Sequence, residues 1–200
     1  MRSNFFWEQV GFRSDKQHFT KMSYKFCPNC GHKFFKKKIH NRPRLVCSSC
    51  DFIFYENSRP TASALIIDGD KVLLAKRKFK PAKGKWDIPG GFLEAGEHPD
   101  AGMLREVKEE TGLEVKIIDM IGFFIDRYGK EGDYTLNIAY IAKIKKGKRK
   151  PADDVDELRW FKLTELPQNL AFKNGREMLQ TLKKWIRIQS FSKPPHCHLW

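Results

Sequence analysis

A mixed α/β (α+β) sandwich with a small cysteine-paired module ahead of it is the architecture this sequence predicts. Three observations carry that reading. Apolar runs of strand type lie before and after one acidic helical segment, and an amphipathic helical period closes the order. Turn-forming clusters separate these runs, as at Asn57-Ser58-Arg59-Pro60 and Asp68-Gly69-Asp70. Four of the five cysteines form two Cys-x-x-Cys pairs upstream of the first long apolar run.

The elements follow in order. Lys33-Phe34-Phe35-Lys36, Arg44-Leu45-Val46 and Phe52-Ile53-Phe54-Tyr55 read as short strands around the cysteine pairs. Thr61–Ile67 reads as a buried strand, turning at Asp68-Gly69-Asp70 into a second strand, Lys71–Lys76. Lys83–Gly91 is a loop and short strand ending in glycines. His98-Pro99 opens a helix, with proline at a tolerated first-turn position, and Gly112 closes it. Strand-like runs follow at Val115–Ile125, Tyr134–Ile144 and Leu158–Phe161. Gly175–Ile188 places Met178, Leu179, Leu182, Trp185 and Ile186 at helical spacing. The expected domains are an extension over 1–22, a ribbon over 23–57, the sandwich over 58–190 and a tail over 191–200.

Composition supports a folded chain. Of 200 residues 40% are hydrophobic, including 16 Phe and 5 Trp, enough for one ordinary core plus a small module. No apolar run approaches the roughly 18–20 residues a membrane helix needs. The segment from Met1 to Glu8 lacks the pattern of a secretory signal. A soluble cytoplasmic protein with no membrane partner is expected. The net charge is +14, as +8 over the first 60 residues, zero over 61–145 and +6 beyond. Basic flanks around a balanced middle attract anions such as nucleotides or nucleic acid, or simply keep the surface solvated.

The cysteine pairs are Cys27-Pro28-Asn29-Cys30 and Cys47-Ser48-Ser49-Cys50, with sixteen residues between them. That is the spacing of a structural zinc site with four thiolate ligands. Two disulfides are the alternative, and the absence of a secretory signal argues against them. Four thiolates leave no open position for catalysis, and a module of about 30 residues needs such a staple in place of a core. Cys197, with His196 and His198, reads as part of a frayed tail rather than a second site.

The acidic helix is the strongest signal. At 100° per residue Glu106, Glu109 and Glu110 fall within about 100° of one another, and Ala101, Leu104, Val107 and Thr111 gather opposite them. Three carboxylates on one exposed stripe repel, and Arg105 offsets only part of this through its i, i+4 relation to Glu109. Mg²⁺ or Mn²⁺ would offset more, because hard cations prefer carboxylate oxygens. Gly90-Gly91, just upstream, allows the backbone to approach the same point.

This segment resembles the Nudix box at each specified position. Gly91 is followed by five residues, Glu97, seven residues, Arg105-Glu106, Val107, one residue, Glu109-Glu110, one residue, Gly112 and Leu113. Nine constrained positions lie within 23 residues. The resemblance extends over about residues 60–190 and implies a Nudix α/β/α sandwich with a mixed sheet, preceded by a zinc ribbon. It implies hydrolysis of a nucleoside diphosphate linked to another group. It assigns Mg²⁺ or Mn²⁺ to Glu106 and Glu110, helped by Glu109 and the Gly90 carbonyl, with Arg105 orienting Glu109 and Glu97 at the helix start. Glu109 or Glu106 would take the proton from water. Asp133, Asp156 and Glu157 are open candidates for a further acid.

A four-Cys ribbon ahead of a Nudix domain is similar to NADH and ADP-ribose pyrophosphatases. Ile121–Tyr128 lacks the prolines of the NADH group's signature, so ADP-ribose ranks first and NADH second. Arg77 and Lys85 are candidate phosphate contacts, and Phe124 a candidate stacking partner for a base. Two alternatives stay open: a pyrophosphohydrolase of oxidised nucleoside triphosphates, and a nucleic-acid-binding ribbon using Lys36-Lys37-Lys38, Arg42 and Arg44. The expected partner is a small-molecule nucleotide. Nucleic acid is the less favoured partner, and a homodimer is compatible with the reading.

Elemental analysis after zinc repletion is expected to give one zinc per chain, held by Cys27, Cys30, Cys47 and Cys50. Cys27→Ser should loosen the ribbon and spare the acidic helix.

Overall fold

A computed structural model describes residues 24–129 and 133–191, with side chains given through Gln189. The expected extension over 1–22 and the tail with His196, Cys197 and His198 lie outside the described residues. The described chain divides into two compact units at the Glu56–Asn57 bond.

In the first unit, β1 (Phe34–Ile39), β2 (Arg42–Cys47) and β3 (Ile53–Phe54) form an antiparallel sheet in the order β1-β2-β3. The strands β1 and β2 are longer than the sequence suggests. They continue to a two-residue turn at His40-Asn41, whose left-handed φ values of 48° and 60° match the twist of a tight hairpin.

The second unit contains β4 (Arg59–Asp68), β5 (Lys71–Arg77), β6 (Trp86–Asp87), β7 (Gly90–Phe92), α1 (Pro99–Thr111), β8 (Glu114–Arg127), β9 (Tyr134–Lys146), β10 (Val155–Lys162) and α2 (Lys173–Phe191). Its main sheet runs β10-β5-β4-β9-β8, with β6 joined to β5 and β7 to β4. β4 and β9 are parallel from Arg59↔Thr135 to Ile66↔Ala142, and the other pairings are antiparallel, so the sheet is mixed. Arg59 and Pro60, expected in a linker, already belong to β4 because Thr135 and Leu136 pair with them.

Alternation along β4 builds two cores. Ala62, Ala64 and Ile66 pack with Met103 and Val107 of α1. Leu65 and Ile67 face the other way and pack with Met178, Leu179 and Leu182 of α2. Both faces of the sheet are therefore covered, giving the α/β/α sandwich. β4 pairs with β5 only at Ile67↔Val72 and Asp68↔Lys71, and its first half carries β7 instead. That exchange of neighbours brings the glycine loop against the centre of the sheet.

The caps of α1 account for its boundaries. His98 is the N-cap, its Nδ1 accepting from the Asp100 N–H at 3.4 Å, and Pro99 follows. Gly112 ends the helix at φ 71°, with its N–H donating to the Lys108 carbonyl. The buried face differs from the expected one. Val107 and Thr111 are buried, but Ala101 and Leu104 are exposed, and Met103 and Glu110 are buried instead. Met103 and Glu110 are seven residues apart, two helical turns, so one row carries both inward.

Leu182 is fully buried between α2 and the sheet. Leu182→Ala should destabilise the second unit by about 2–5 kcal/mol in denaturant unfolding. The exposed Lys184→Ala should stay within about 0.5 kcal/mol of the parent.

Candidate active site and metal centre

The four cysteine sulfurs of the first unit lie within 4.8 Å of one another, and none is in a disulfide. Cys27 and Cys50 Sγ are 3.8 Å apart, and Cys30 and Cys47 Sγ 3.4 Å. Tetrahedral metal–sulfur bonds of about 2.3 Å would place sulfurs about 3.8 Å apart, so the set fits a zinc ion. The two turns are alike. Gly31 and Asp51, each directly after the second cysteine of its pair, have φ of 74° and 56°. The Cys27 N–H donates to the His32 carbonyl, and the Cys47 N–H to the Phe52 carbonyl. The Asn29 side-chain amide and the Phe52 N–H bring the Cys50 thiol down to about 6, whereas, against a backbone hydrogen bond from His32, hydrogen bonding to the neighbouring thiols pushes Cys30 up to about 12.

In the second unit a cleft of about 210 Å³ opens where β7, α1, β9 and the start of α2 meet. Its formation depends on two glycines. Gly90 has φ 143°, and a Cβ there would lie 2.2 Å from the Ala62 carbonyl oxygen. A Cβ on Gly91 would lie 2.4 Å from the Glu106 carboxyl carbon. At residue 90 only glycine fits against the β4 backbone, and at residue 91 a side chain would displace the Glu106 carboxylate.

Glu106 and Glu110 line this cleft. Glu110 is 6% exposed, and its Oε2 accepts from the Gly90 N–H at 2.9 Å. Burial holds its carboxyl well above the usual range, and the charges of Asp154, Asp87 and Glu106 push the same way. Burial also raises Glu106, against the opposing effect of Arg105 at 2.9 Å. Glu109 is separated from this pair. Its side chain is 49% exposed, bonded to Arg105 at 3.1 Å and absent from the cleft lining. The expected exposed stripe of three glutamates is thus corrected: the buried row through Met103 draws Glu110 inward and leaves Glu109 outside.

Arg105 joins these parts. Its Nε and Nη2 form a fork on Glu97, both at 2.9 Å, while Nη1 reaches Glu106 and Glu109 and Nη2 the Phe92 carbonyl. Glu97 therefore ties the loop to the helix, and His98 does the capping. The Arg105 hydrogen bonds, with the Glu94 N–H, hold the Glu97 carboxyl down at about 2.

Of the expected substrate contacts, Arg77 lines the cleft. Its donors already reach the Pro81 carbonyl, Asp87 and the Tyr128 hydroxyl. Burial raises the Asp87 carboxyl to about 6 despite Arg77 at 3.1 Å. Lys85 and Phe124 are corrections. Lys85 is exposed in the loop before β6, and Phe124 packs half-buried against the α2-side core. Neither lines the cleft. Phe92, Tyr128 and Phe172 do, with Tyr128 stacked on Phe172 at 5.6 Å and edge-on to Phe92 at 5.3 Å.

Of the acids after the helix, Asp126, Asp153 and Asp154 line the cleft, rather than the three candidates from the sequence, and Asp126 is already bonded to the Arg127 and Asn174 N–H groups. Asp133 and Asp156 are exposed, and Glu157 pairs with Lys76 and Arg159. The Asp154 carbonyl accepts from the Lys78 N–H at 2.8 Å, and its carboxylate lies 3.9 Å from Arg77. The acidic loop is visible in the sequence, but its register against β5 selects which acid turns inward. Ser63 and Asn137 also line the cleft, and no local motif marks them.

The profile described as "NUDIX domain" matches residues 57–182, and that described as "Nudix N-terminal" matches residues 25–56. The chain is 31% identical over 160 residues to a Methanocaldococcus jannaschii protein named ADP-ribose pyrophosphatase, covering 80% of this chain and 91% of that one. It is 32% identical over 145 residues to a Pseudomonas aeruginosa protein named NAD-capped RNA hydrolase NudC, covering 72% of this chain. This chain spans about half of that relative's length, 49%. Among solved structures, a NUDIX hydrolase from Nitrosomonas europaea superposes with a TM-score of 0.70 at 27% identity, over 86% of this chain and 95% of that one.

The Arg105 fork predicts a titration. Because the folded Glu97 carboxyl is held at about 2, its contribution to stability is present above about 4.5 and is lost as pH falls through about 2. Carboxyl-carbon NMR should find that low midpoint in the parent. In Arg105→Leu the midpoint should return towards the ordinary glutamate value, about 4.3.

Proposed function

This chain belongs to the Nudix hydrolase family, and we propose that it is a pyrophosphatase that uses Mg²⁺ or Mn²⁺ to cleave a nucleoside diphosphate linked to another moiety. The carrying observation is the pair Glu106 and Glu110 facing a cleft that Asp154 and the glycine loop also line. Burial and neighbouring acidic charge raise Glu106 and Glu110, and with Asp154 they form a donor set of hard oxygens that a divalent cation would complete. Glu106 and Glu110 would hold the metal, with Asp154 beside them. The metal would supply charge neutralisation at the phosphate oxygens and a lowered pKa for attacking water.

The protein's own groups do the positioning. The Gly90 N–H fixes one oxygen of Glu110, and Arg105 fixes Glu106 and Glu109 against the Glu97 anchor. Of the two carboxylates proposed to take the water proton, Glu106 faces the cleft and Glu109 stands outside it on Arg105. In the other unit the four cysteines would hold a structural zinc. Their free thiols fit a reducing compartment such as the cytoplasm.

ADP-ribose is the first substrate in this reading and NADH the second. The M. jannaschii relative named ADP-ribose pyrophosphatase, matched over 91% of its length, supports the first choice, as does the absence of proline from Ile121–Tyr128. The NudC resemblance keeps the dinucleotide in second place.

The test is kcat/KM for ADP-ribose, NADH and 8-oxo-dGTP with Mg²⁺ and with Mn²⁺, products resolved by chromatography. ADP-ribose should yield AMP and ribose 5-phosphate with the highest value. Glu106→Gln and Glu110→Gln should each lose about 10²-fold or more, and the exposed Glu165→Gln almost nothing. A higher kcat/KM for the triphosphate, with pyrophosphate released, would reverse the substrate order. Glu110→Gln at full kcat in saturating Mg²⁺ would overturn the role of the helix.

A further inference from the structure

The floor of the cleft holds a polar group that the chemistry above does not use. Thr61 and Ser63 on β4 and Thr135 and Asn137 on β9 line it, and each is more than nine-tenths buried. The Thr61 hydroxyl donates to the Leu136 carbonyl at 3.5 Å, and the Thr135 hydroxyl to the Asp126 carbonyl at 3.2 Å. Asn137 Nδ2 donates to Ser63 Oγ at 2.7 Å. Asn137 Oδ1 has no hydrogen-bond partner, and among the described residues it is the buried side-chain polar atom left in that state.

The position of this atom is set by the sheet. Asn137 pairs with Thr61 across the parallel β4–β9 ladder, and Ser63 pairs with Gly90 across β4–β7. Gly90 in turn donates to Glu110. The unpaired acceptor is thus tied through Ser63 to the strand beneath the carboxylates. Native proteins rarely leave a buried acceptor unsatisfied, and a ligand is one way of completing it.

An acceptor is completed by a hydrogen-bond donor or by a cation, and the cation of this cleft is placed above on Glu106 and Glu110. The pyrophosphate oxygens of a nucleoside diphosphate conjugate are fully ionised at neutral pH and carry no proton to donate, so they cannot fill this role. The donors in a nucleoside diphosphate conjugate are the sugar hydroxyls and the N–H groups of the base. We infer that Asn137 is a specificity-determining residue whose Oδ1 accepts a hydrogen bond from a hydroxyl or amino group of the substrate's organic part. This rests on the pyrophosphatase reading for the identity of the substrate. It goes beyond that reading by naming the atom that separates nucleoside conjugates from bare phosphates.

The experiment uses Asn137→Leu in the full chain, a substitution of similar volume without polar atoms. If Asn137 serves ligand rather than fold, the unliganded melting temperature should move by less than about 4 °C. Calorimetry then compares AMP, ribose 5-phosphate and inorganic pyrophosphate on parent and variant. Binding of AMP or of ribose 5-phosphate should weaken about 10-fold or more, and pyrophosphate should stay within about twofold. Loss on AMP alone places the donor on the nucleoside, and loss on ribose 5-phosphate alone places it on the second sugar. Equal loss on all three probes, or no loss on either organic probe, overturns the inference. Should Asn137→Leu not fold, Asn137→Ala carries the same comparison. Failure of the parent to hydrolyse ADP-ribose would sink the function proposed above, while the binding comparison would still decide the role of Asn137.

Discussion

Keeping the Glu110 carboxylate at 6% exposure strips most of its hydration, which costs an ion several kcal/mol unless its surroundings compensate. The surrounding architecture supplies one compensating donor, and the raised proton affinity of the carboxyl reflects the part left over for a cation. The Gly90 N–H reaches Glu110 because β7 pairs with β4 at Ser63, and it can do so because residue 90 has no Cβ. α1 reaches the same point because Met103 and Val107 are drawn into the core beside β4. Central strand, glycine loop and helix are therefore coupled through one carboxylate. Moving any of the three would leave a buried acid without its donor.

A second constraint is the distribution of cations. Arg105 is committed to Glu97, Glu106, Glu109 and the Phe92 carbonyl, and Arg77 to Asp87, Tyr128 and the Pro81 carbonyl. Both arginines thus stabilise the protein's own acids and carbonyls. Neither is a free counter-ion for a pyrophosphate, which accords with a family chemistry in which bound divalent metal meets the phosphate charge. The first unit follows a different logic. Its sheet buries Cys27, Leu45, Val46 and Cys47 and leaves Phe26, Phe35, Phe52 and Tyr55 substantially exposed. So small a core needs the thiolate cluster to hold its two turns in place.

Much of this was legible before any coordinates. The cysteine spacing located the thiolate cluster, because Cys-x-x-Cys turns are local and bring their sulfurs together without outside help. Proline at the helix start and glycine at its end located α1 for the same reason. The strands were found, but their ends were not. Ladder partners such as Thr135 and Leu136 extended β4 backwards over Arg59 and Pro60, and those partners are distant in sequence. The helix buries half of the face its spacing predicts. Val107 and Thr111 turned inward as expected, whereas Ala101 and Leu104 did not, since packing against β4 and β7 selected the row of Met103.

By itself the sequence determined the residue types at the site: the glutamates at helical spacing, the glycines that admit the loop, the arginine four residues before Glu109, and the two thiolate pairs. These depend on spacings of a few residues, over which backbone geometry alone dictates neighbours. Tertiary structure decided which of these groups face the cleft and what stands opposite them. It turned Glu110 inward and left Glu109 outside, brought Asp154 rather than Asp133, Asp156 or Glu157 to the cleft, and engaged Arg77 internally. It also set Asn137 beside Ser63 from a strand 74 residues away. Each of these outcomes depends on strand register and helix placement, which long-range burial sets and no local pattern encodes.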